Sequence, residues 1–252
     1  DDVTEAAKKL TKDDGSQYGL CLRNDNNQAG YYNLIYDNGG YIINDDKTKS
    51  GMDDPKTVEA MEMVEGWIKD GVLPPIETMS ENGEDVLLES GKVAMVPQGS
   101  WMIAAFRDNE YTAENCDCVE LPKSATTGRR ASLYNGLGWA AAANTEHPEE
   151  AWQLIEYLGS KEAQEKQAEL GVTMSAYTGT SEAWAKSANF NLQAYINMMD
   201  DMEIRPYSRS TVTWENKNSE ILKSVYSGDK TMADACKEMA EQMNESLSEE
   251  QQ

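Results

Sequence analysis

Histidine is nearly absent: His147 is the one imidazole in 252 residues. Cysteine is sparse as well, at four, and no Cys-x-x-Cys pair occurs. A Cys/His zinc site has little to build on. A Ser/His/Asp triad would have to use His147, which stands beside Pro148 at a predicted helix start and reads as an exposed capping residue. No HExxH, nucleophile elbow, Walker loop or GxGxxG fingerprint is present, and Gly136-Leu137-Gly138 is a lone GxG followed by Trp139 and four alanines. No window approaches 18 consecutive apolar residues, so the sequence predicts no transmembrane helix and no direct membrane insertion. No basic-then-apolar leader opens the chain, which starts Asp1-Asp2-Val3; a signal peptide is expected to have been removed or never present. Positive charge is the last shortage. Lys and Arg number 22 against 45 Asp and Glu, a net of −23. Such a surface repels a phosphate backbone and an anionic leaflet, so nucleic acid is not an expected partner.

What is present is ordinary for a folded chain. Hydrophobic residues make 39%, glycine adds 18, and the length is comfortable for two lobes. Val3, Ala6, Ala7 and Leu10 recur at helical spacing. A strand is predicted over residues 17–23, with Tyr18, Leu20 and Leu22 on one face, then a polar loop and a short helix over 31–36. Asp54-Pro55 marks a strong helix start, with Val58, Met61, Val64, Trp67 and Ile68 as its buried stripe. A helix over 84–89, a strand over 93–97 and a helix from Trp101 follow. Residues 116–121 read as a strand carrying Cys116 and Cys118. Their α-carbons would lie about 6–7 Å apart, too far for an easy bridge, so free thiols are expected. Residues 133–143 read as extended. From His147 onward helices dominate, with Ala151, Trp152, Ile155 and Leu158 facing inward on one of them and Met232, Ala235, Met239 and Met243 on the last. The tail over 245–252 is expected to fray. Alternating helices and short strands give an α/β class.

Reactive chemistry finds no footing. The loop at Asp25 resembles a calcium loop at Asp25, Asn27 and Gly30, but Ala29 and Tyr36 stand where oxygen ligands are needed. Forty-five acids supply carboxylate pairs by coincidence, so they do not single out a glycosidase pair. No catalytic residue, metal ligand or cofactor is assigned. Loops and element ends instead carry aromatics and amides: Asn27, Gln28, Tyr31, Tyr32, Gln98, Trp101, Tyr134, Asn135, Trp139, Tyr207, Arg209 and Trp214. Neutral polyols need that mixture. An aromatic face stacks on the C–H face of a sugar ring, and amides and Arg bond hydroxyls in fixed directions. Trp67 and Trp152 lie on helical stripes and read as core; Trp101 follows Gly99-Ser100 at a strand-to-helix turn, where side chains face clefts.

The run Gly91-Lys92-Val93-Ala94-Met95-Val96-Pro97-Gln98-Gly99-Ser100-Trp101 resembles a signature of the extracellular solute-binding proteins of carbohydrate ABC importers, the maltose-binding-protein-like family. Tyr134-Asn135-Gly136-Leu137-Gly138-Trp139-Ala140 resembles its Gly-rich crossover strand. Thr145-Glu146-His147-Pro148-Glu149-Glu150-Ala151-Trp152 and Leu158-Gly159-Ser160-Lys161-Glu162-Ala163-Gln164 resemble its helix pair. The resemblance implies an α/β, periplasmic-binding-protein-like (type II) lobe with a mostly parallel sheet, plus a partial, mainly helical second lobe. Residues 1–134 and 190–252 would form lobe two and 138–187 a remnant of lobe one, with roughly the family's N-terminal third absent. The Trp152 and Leu158 stripe would then be exposed, pair with a second copy or fold back.

The implied function is capture of a sugar or oligosaccharide outside the cell, by a periplasmic protein or cell-surface lipoprotein, and delivery to an ABC permease without catalysis. Trp101 matches the stacking Trp. Asn27, Gln28 and Tyr31 match one ligand-contacting loop, Tyr207, Arg209 and Trp214 match another contacting segment, and Gln98, Asn135 and Trp139 complete the implied ligand set. A cationic solute such as a polyamine or basic peptide is an alternative suggested by the charge, a glycoside-acting enzyme is another, and a chain with half its cleft gone would bind nothing measurable.

Overall fold

Residues 2–251 are described by a computed structural model. In chain order the helices are α1 (Asp2–Leu10), α2 (Tyr32–Asp37), α3 (Pro55–Lys69), α4 (Ile76–Glu81), α5 (Glu84–Glu89), α6 (Ile103–Asp108), α7 (Glu110–Asn115), α8 (Pro148–Leu158), α9 (Lys161–Leu170), α10 (Ser181–Ala185), α11 (Gln193–Asn197), α12 (Thr211–Tyr226) and α13 (Met232–Glu249). Strands β1 (Ser132–Tyr134) and β2 (Met202–Ile204) pair in parallel, with Leu133 opposite Glu203. The architecture is α/β, rich in helix with a small parallel sheet. Two compact units divide it. The first takes the chain to Gln98, then Leu121–Tyr134 and the stretch from Asp200 onward; the second takes Gly99–Glu120 and Asn135–Met199.

The first unit is built on a continuous apolar core. Asp54 caps α3 by accepting from the Lys56 N–H at 2.9 Å, and Pro55 occupies the first helical position, so the predicted start holds. That start sets the phase that buries Met61, Val64 and Trp67. Helix α3 packs on α13, whose stripe of Met232, Ala235, Cys236, Met239 and Met243 is fully buried, and α12 packs on both. A half-buried ion pair crosses from the end of β2 into α12: Arg205 Nη2 donates to Glu215 Oε2 at 2.6 Å, and the Tyr32 hydroxyl donates to Glu215 Oε1 at 3.3 Å. The predicted strand over 17–23 is an extended segment bonded on both sides, Leu20 N–H to the Val72 carbonyl at 3.2 Å and Cys21 N–H to the Met95 carbonyl at 2.9 Å. Only a single parallel bridge, Tyr18 to Val93, has regular ladder form. The predicted fraying tail is corrected. Helix α13 runs to Glu249 with Ser246 and Leu247 buried, and Glu250 is tied down by Ser208 Oγ at 2.7 Å and by the Arg209 and Ser210 N–H groups at 2.9 and 2.8 Å. Against a burial cost, those bonds hold the Glu250 carboxyl at about 2.

The second unit is helical, with no strand among its described residues. Its core is small: Ile103, Phe106, Ala168, Trp184, Phe190, Leu192, Ala194 and Met198. Trp184 meets Tyr195 edge-on, the ring centroids 5.7 Å apart. Asn109 caps α7 through the Thr112 N–H at 3.0 Å, Ser160 caps α9 through Ala163 at 3.3 Å, and Arg107 Nη1 donates to the Leu170 carbonyl at 3.1 Å. The predicted strand over 116–121 does not form. Side chains there pin neighbouring segments instead: Asp117 accepts from the Asn191 N–H at 2.6 Å and Glu120 from Asn197 Nδ2 at 2.7 Å. Residues 99–120 and 190–199, grouped with lobe two on sequence, lie in this unit. The extended stretch predicted over 133–143 is a strand only to Tyr134. Helix α8 has no buried residue, and Trp152 is 61% exposed where the stripe predicted core. Ala151, Ile155 and Leu158 of the stripe are half-buried, and α8 packs on α9. His147 is exposed at the N-cap position of α8, but its side chain makes no capping bond. All four cysteines are free, Cys21 and Cys236 buried.

Candidate functional site

The first unit presents a polar cluster at the end of the extended segment 17–23. Arg23 forks onto Asp25 through Nε and Nη2, at 3.0 and 2.9 Å. Asn24 is buried and donates to the Ser219 carbonyl at 2.9 Å, which anchors the loop to α12. Asn26 Nδ2 donates to Glu84 Oε1 at 2.7 Å and to the Pro97 carbonyl at 3.3 Å. The chain then enters a wide turn over Asn27–Tyr31, broken from helical form at Gly30 (φ −103°, ψ −106°). Asn27 and Gln28 occupy this turn, half-buried, and Asn27 Oδ1 accepts the Gln28 N–H. Gln98 Nε2 reaches the same Glu84 Oε1 at 3.2 Å. Asn27, Gln28 and Gln98 are therefore held on two segments that meet at Glu84.

Glu84 is 8% exposed. Burial pushes its carboxyl up to about 7; the Asn26 bond and Arg23 pull it down, and Asp25 adds to the rise. The cluster offers carboxamides at fixed angles around one shielded acid. That suits hydroxyl recognition, and no group of three metal-ligating side chains occurs among the described residues.

The segment before α12 carries the next expected contacts. Tyr207 is exposed, and the Lys47 ammonium sits 3.2 Å from its ring centroid, which lowers the phenol's proton affinity. Lys47 itself adopts φ +56°, in the left-handed region. Arg209 is exposed, with its backbone held by Glu250. Two expectations are corrected here. Trp214 has no exposed surface, and its indole N–H is satisfied by Ser208 Oγ at 3.0 Å. Tyr31 is buried with its ring edge-on to Tyr32 at 5.0 Å. Both rings sit in the apolar core. An aromatic at an element end plugs the core as readily as it lines a cleft.

In the second unit Trp101 lies in a 3₁₀ turn, Ser100–Met102, that leads into α6. Its indole is 49% exposed. A Cβ built on Gly99 would stand 2.1 Å from the indole ring, so the ring approaches backbone where a side chain would force it to shift. Asn135 and Trp139 lie on the exposed stretch after β1, with Trp139 62% exposed. Sequence reasoning missed Asn26, Glu84 and Lys47. The polar loop flagged Asn26's neighbourhood. Glu84 looked like a routine acid at a helix N-terminus, and nothing in its spacing signals burial.

The sequence matches the profile of a family described as bacterial extracellular solute-binding protein over residues 1–199. No curated protein matches it. Among solved structures, the ABC substrate-binding protein Lmo0181 from Listeria monocytogenes, in complex with cycloalternan, superposes with a TM-score of 0.84 at 19% identity, over 98% of this chain and 63% of that one. An ABC transporter solute-binding protein from Thermotoga lettingae bound with α-D-tagatose gives 0.81 at 22%, over 97% and 63%. The maltose/maltodextrin-binding domain MalE from Bdellovibrio bacteriovorus bound to maltotriose gives 0.79 at 19%, over 98% and 65%. The chain thus spans less than two thirds of the length of these structures, and at these identities the likeness is one of fold.

Proposed function

The chain belongs to the bacterial extracellular solute-binding protein family, and from that premise we propose that it captures an uncharged sugar or oligosaccharide outside the cell for an ABC permease. The observation that carries the sugar reading is the half-exposed indole of Trp101, packed close to Gly99 at the entry to a helix. A planar apolar face of that kind stacks on a pyranose. Asn27, Gln28 and Gln98 supply hydroxyl partners, and Asn135, Trp139, Tyr207 and Arg209 are the exposed candidates on other segments. Binding shifts the balance between open and closed arrangements of two lobes, 1–134 with 190–252 against 138–187, and the permease reads the closed one. No bond is made or broken. Among the described residues no helix is long and apolar enough to cross a membrane, and the family is extracellular, which supports a periplasmic protein or surface lipoprotein. A cationic solute fits less well: in the cluster Asp25 is engaged by Arg23 and Glu84 already receives two amide donors.

Calorimetry and thermal shift with maltotriose, and with a panel of mono- and oligosaccharides, test this on the 252-residue chain. A bound sugar raises the melting temperature because it binds the native state alone. Trp101→Ala is expected to weaken that binding by about 1–3 kcal/mol, the loss of a stacked aromatic and its burial. Unchanged affinity in Trp101→Ala removes the indole from the site. Reducing-sugar release from the same panel would replace the binder with an enzyme.

A further inference from the structure

Glu84 makes no appearance among the residues that face a solute, yet both carboxamides that flank the proposed site end on it. Asn26 Nδ2 and Gln98 Nε2 donate to the same oxygen, Oε1, at 2.7 and 3.2 Å, and Asn26 also reaches the Pro97 carbonyl next to Gln98. One shielded acid therefore joins the Asn24–Tyr31 loop region to the segment that ends in Gln98. We propose that Glu84 is a positioning residue for the solute site: it fixes the direction of the Asn26 and Gln98 amide planes and so sets how the Asn27–Tyr31 turn and Gln98 meet a sugar. This inference rests on the sugar-binding reading of the same cluster.

The chemistry supports a deliberate clamp. A carboxamide has a donor end and an acceptor end nearly equal in shape, and in water it turns freely. A buried carboxylate accepts only, so each amide must present its NH2 to Glu84 and its oxygen to the opposite side. Glu84 Oε2 is buried without a hydrogen-bond partner, while both amides converge on Oε1; a proton on the carboxyl leaves Oε1 an acceptor but a weaker one than the anion. Arg23 and Asp25 on the loop, Cys21 on the extended segment and Tyr226 on α12 are the titratable or charged groups that interact with it. Of these, Arg23 favours the anion, while Asp25 and the low-dielectric surroundings oppose it. With its carboxyl raised to about 7, Glu84 passes between the weaker neutral acceptor and the stronger anionic one near neutrality, where a Glu is ordinarily fully ionised.

The test has two readouts on the 252-residue chain. In the first, side-chain amide resonances of Asn26 and Gln98 are followed by NMR from pH 5 to 9. A shared titration with a midpoint near neutrality, lost in Glu84→Gln, is the expected result. Amide signals that do not titrate, or that titrate unchanged in Glu84→Gln, overturn the clamp. In the second, calorimetry with maltotriose compares wild type, Glu84→Gln and Glu84→Ala. Wild-type affinity is expected to rise about tenfold from pH 5.5 to pH 8, Glu84→Ala to bind at least tenfold more weakly at pH 8, and Glu84→Gln to lose the pH dependence. Melting curves of each variant separate this from a general loss of fold. Variants that bind maltotriose as the wild type does, with the same pH profile, overturn the positioning role and leave the sugar reading standing. No maltotriose binding by the wild type, with no other sugar of the panel bound, overturns the sugar reading and this inference with it.

Discussion

Helices α12 and α8 carry the same kind of signal and meet opposite fates. Each has a tryptophan on an apolar stripe near its start. In α12, Trp214 has no exposed surface, its N–H is bonded to Ser208, and Leu222 and Val225 continue the buried face. In α8, Trp152, Leu154 and Tyr157 stand mostly in solvent. The difference lies in what is packed opposite, since periodicity reports which face is apolar and says nothing of whether a partner is there. The first unit has α3 and α13 to set against α12. The contrast is sharpest when the tryptophans are removed. Trp214→Ala is expected to cost about 3–5 kcal/mol, the transfer loss plus a cavity in a rigid core. Denaturant unfolding followed by circular dichroism measures it, and a loss under about 1 kcal/mol would mean that the first unit's core is far looser than its packing.

A second expectation probes the same core by pH. Asp37, at the end of α2, is buried; its carboxylate accepts the Ala131 N–H and its carbonyl accepts the Thr127 hydroxyl. Burial pushes its carboxyl up to about 7, against the pull of the Ala131 bond, Arg129 and Arg130, while Asp201 adds to the rise. In the unfolded chain the group ionises near its ordinary value of 3.8. Between those two values the unfolded state holds fewer protons than the native one, so stability is highest below pH 4 for this group and declines as pH rises to about 7. Glu84 adds a decline of the same sign. Asp37→Asn keeps an acceptor for Ala131 and removes the titration. It is expected to flatten the pH 4 to pH 8 stability profile by about 3 kcal/mol. Parallel profiles for Asp37→Asn and wild type would show that Asp37 is hydrated in solution.

The elements most legible in the sequence are those decided by local chemistry. Asp54-Pro55 fixed the start of α3, Ser160 that of α9, and the Met232–Met243 spacing predicted the buried face of α13. Segments decided by distant partners were not legible. Residues 116–121 alternate like a strand, but Asp117 and Glu120 are spent on side-chain bonds to residues more than 70 positions away. The charged tail after Glu245 looked free because no local pattern announces that Glu250 meets Ser208 and Ser210, about 40 residues upstream. Among the expected contacts, Trp101 is half-exposed at its turn, whereas Trp214 and Tyr31 carry the same residue-type signal and belong to the core. Glu84 was hidden for the converse reason: its burial comes from the Asn26 loop and the Gln98 segment, 58 and 14 residues away along the chain.

The smallest expected effect is the most telling about α8. Trp152→Ser removes the largest side chain of an exposed stripe, with little change in helix propensity. With its face uncovered, the substitution is expected to shift stability by no more than about 0.5 kcal/mol, as for other surface positions. A side chain that stands mostly in solvent has little packing energy to lose. Should Trp152→Ser instead lower stability by 1 kcal/mol or more, repeating the measurement over a hundredfold range of protein concentration decides why. A loss that vanishes on dilution means that a second copy covers the stripe, because only an intermolecular contact obeys mass action. A loss independent of concentration means that α8 packs on its own chain in solution, and the contrast with α12 disappears.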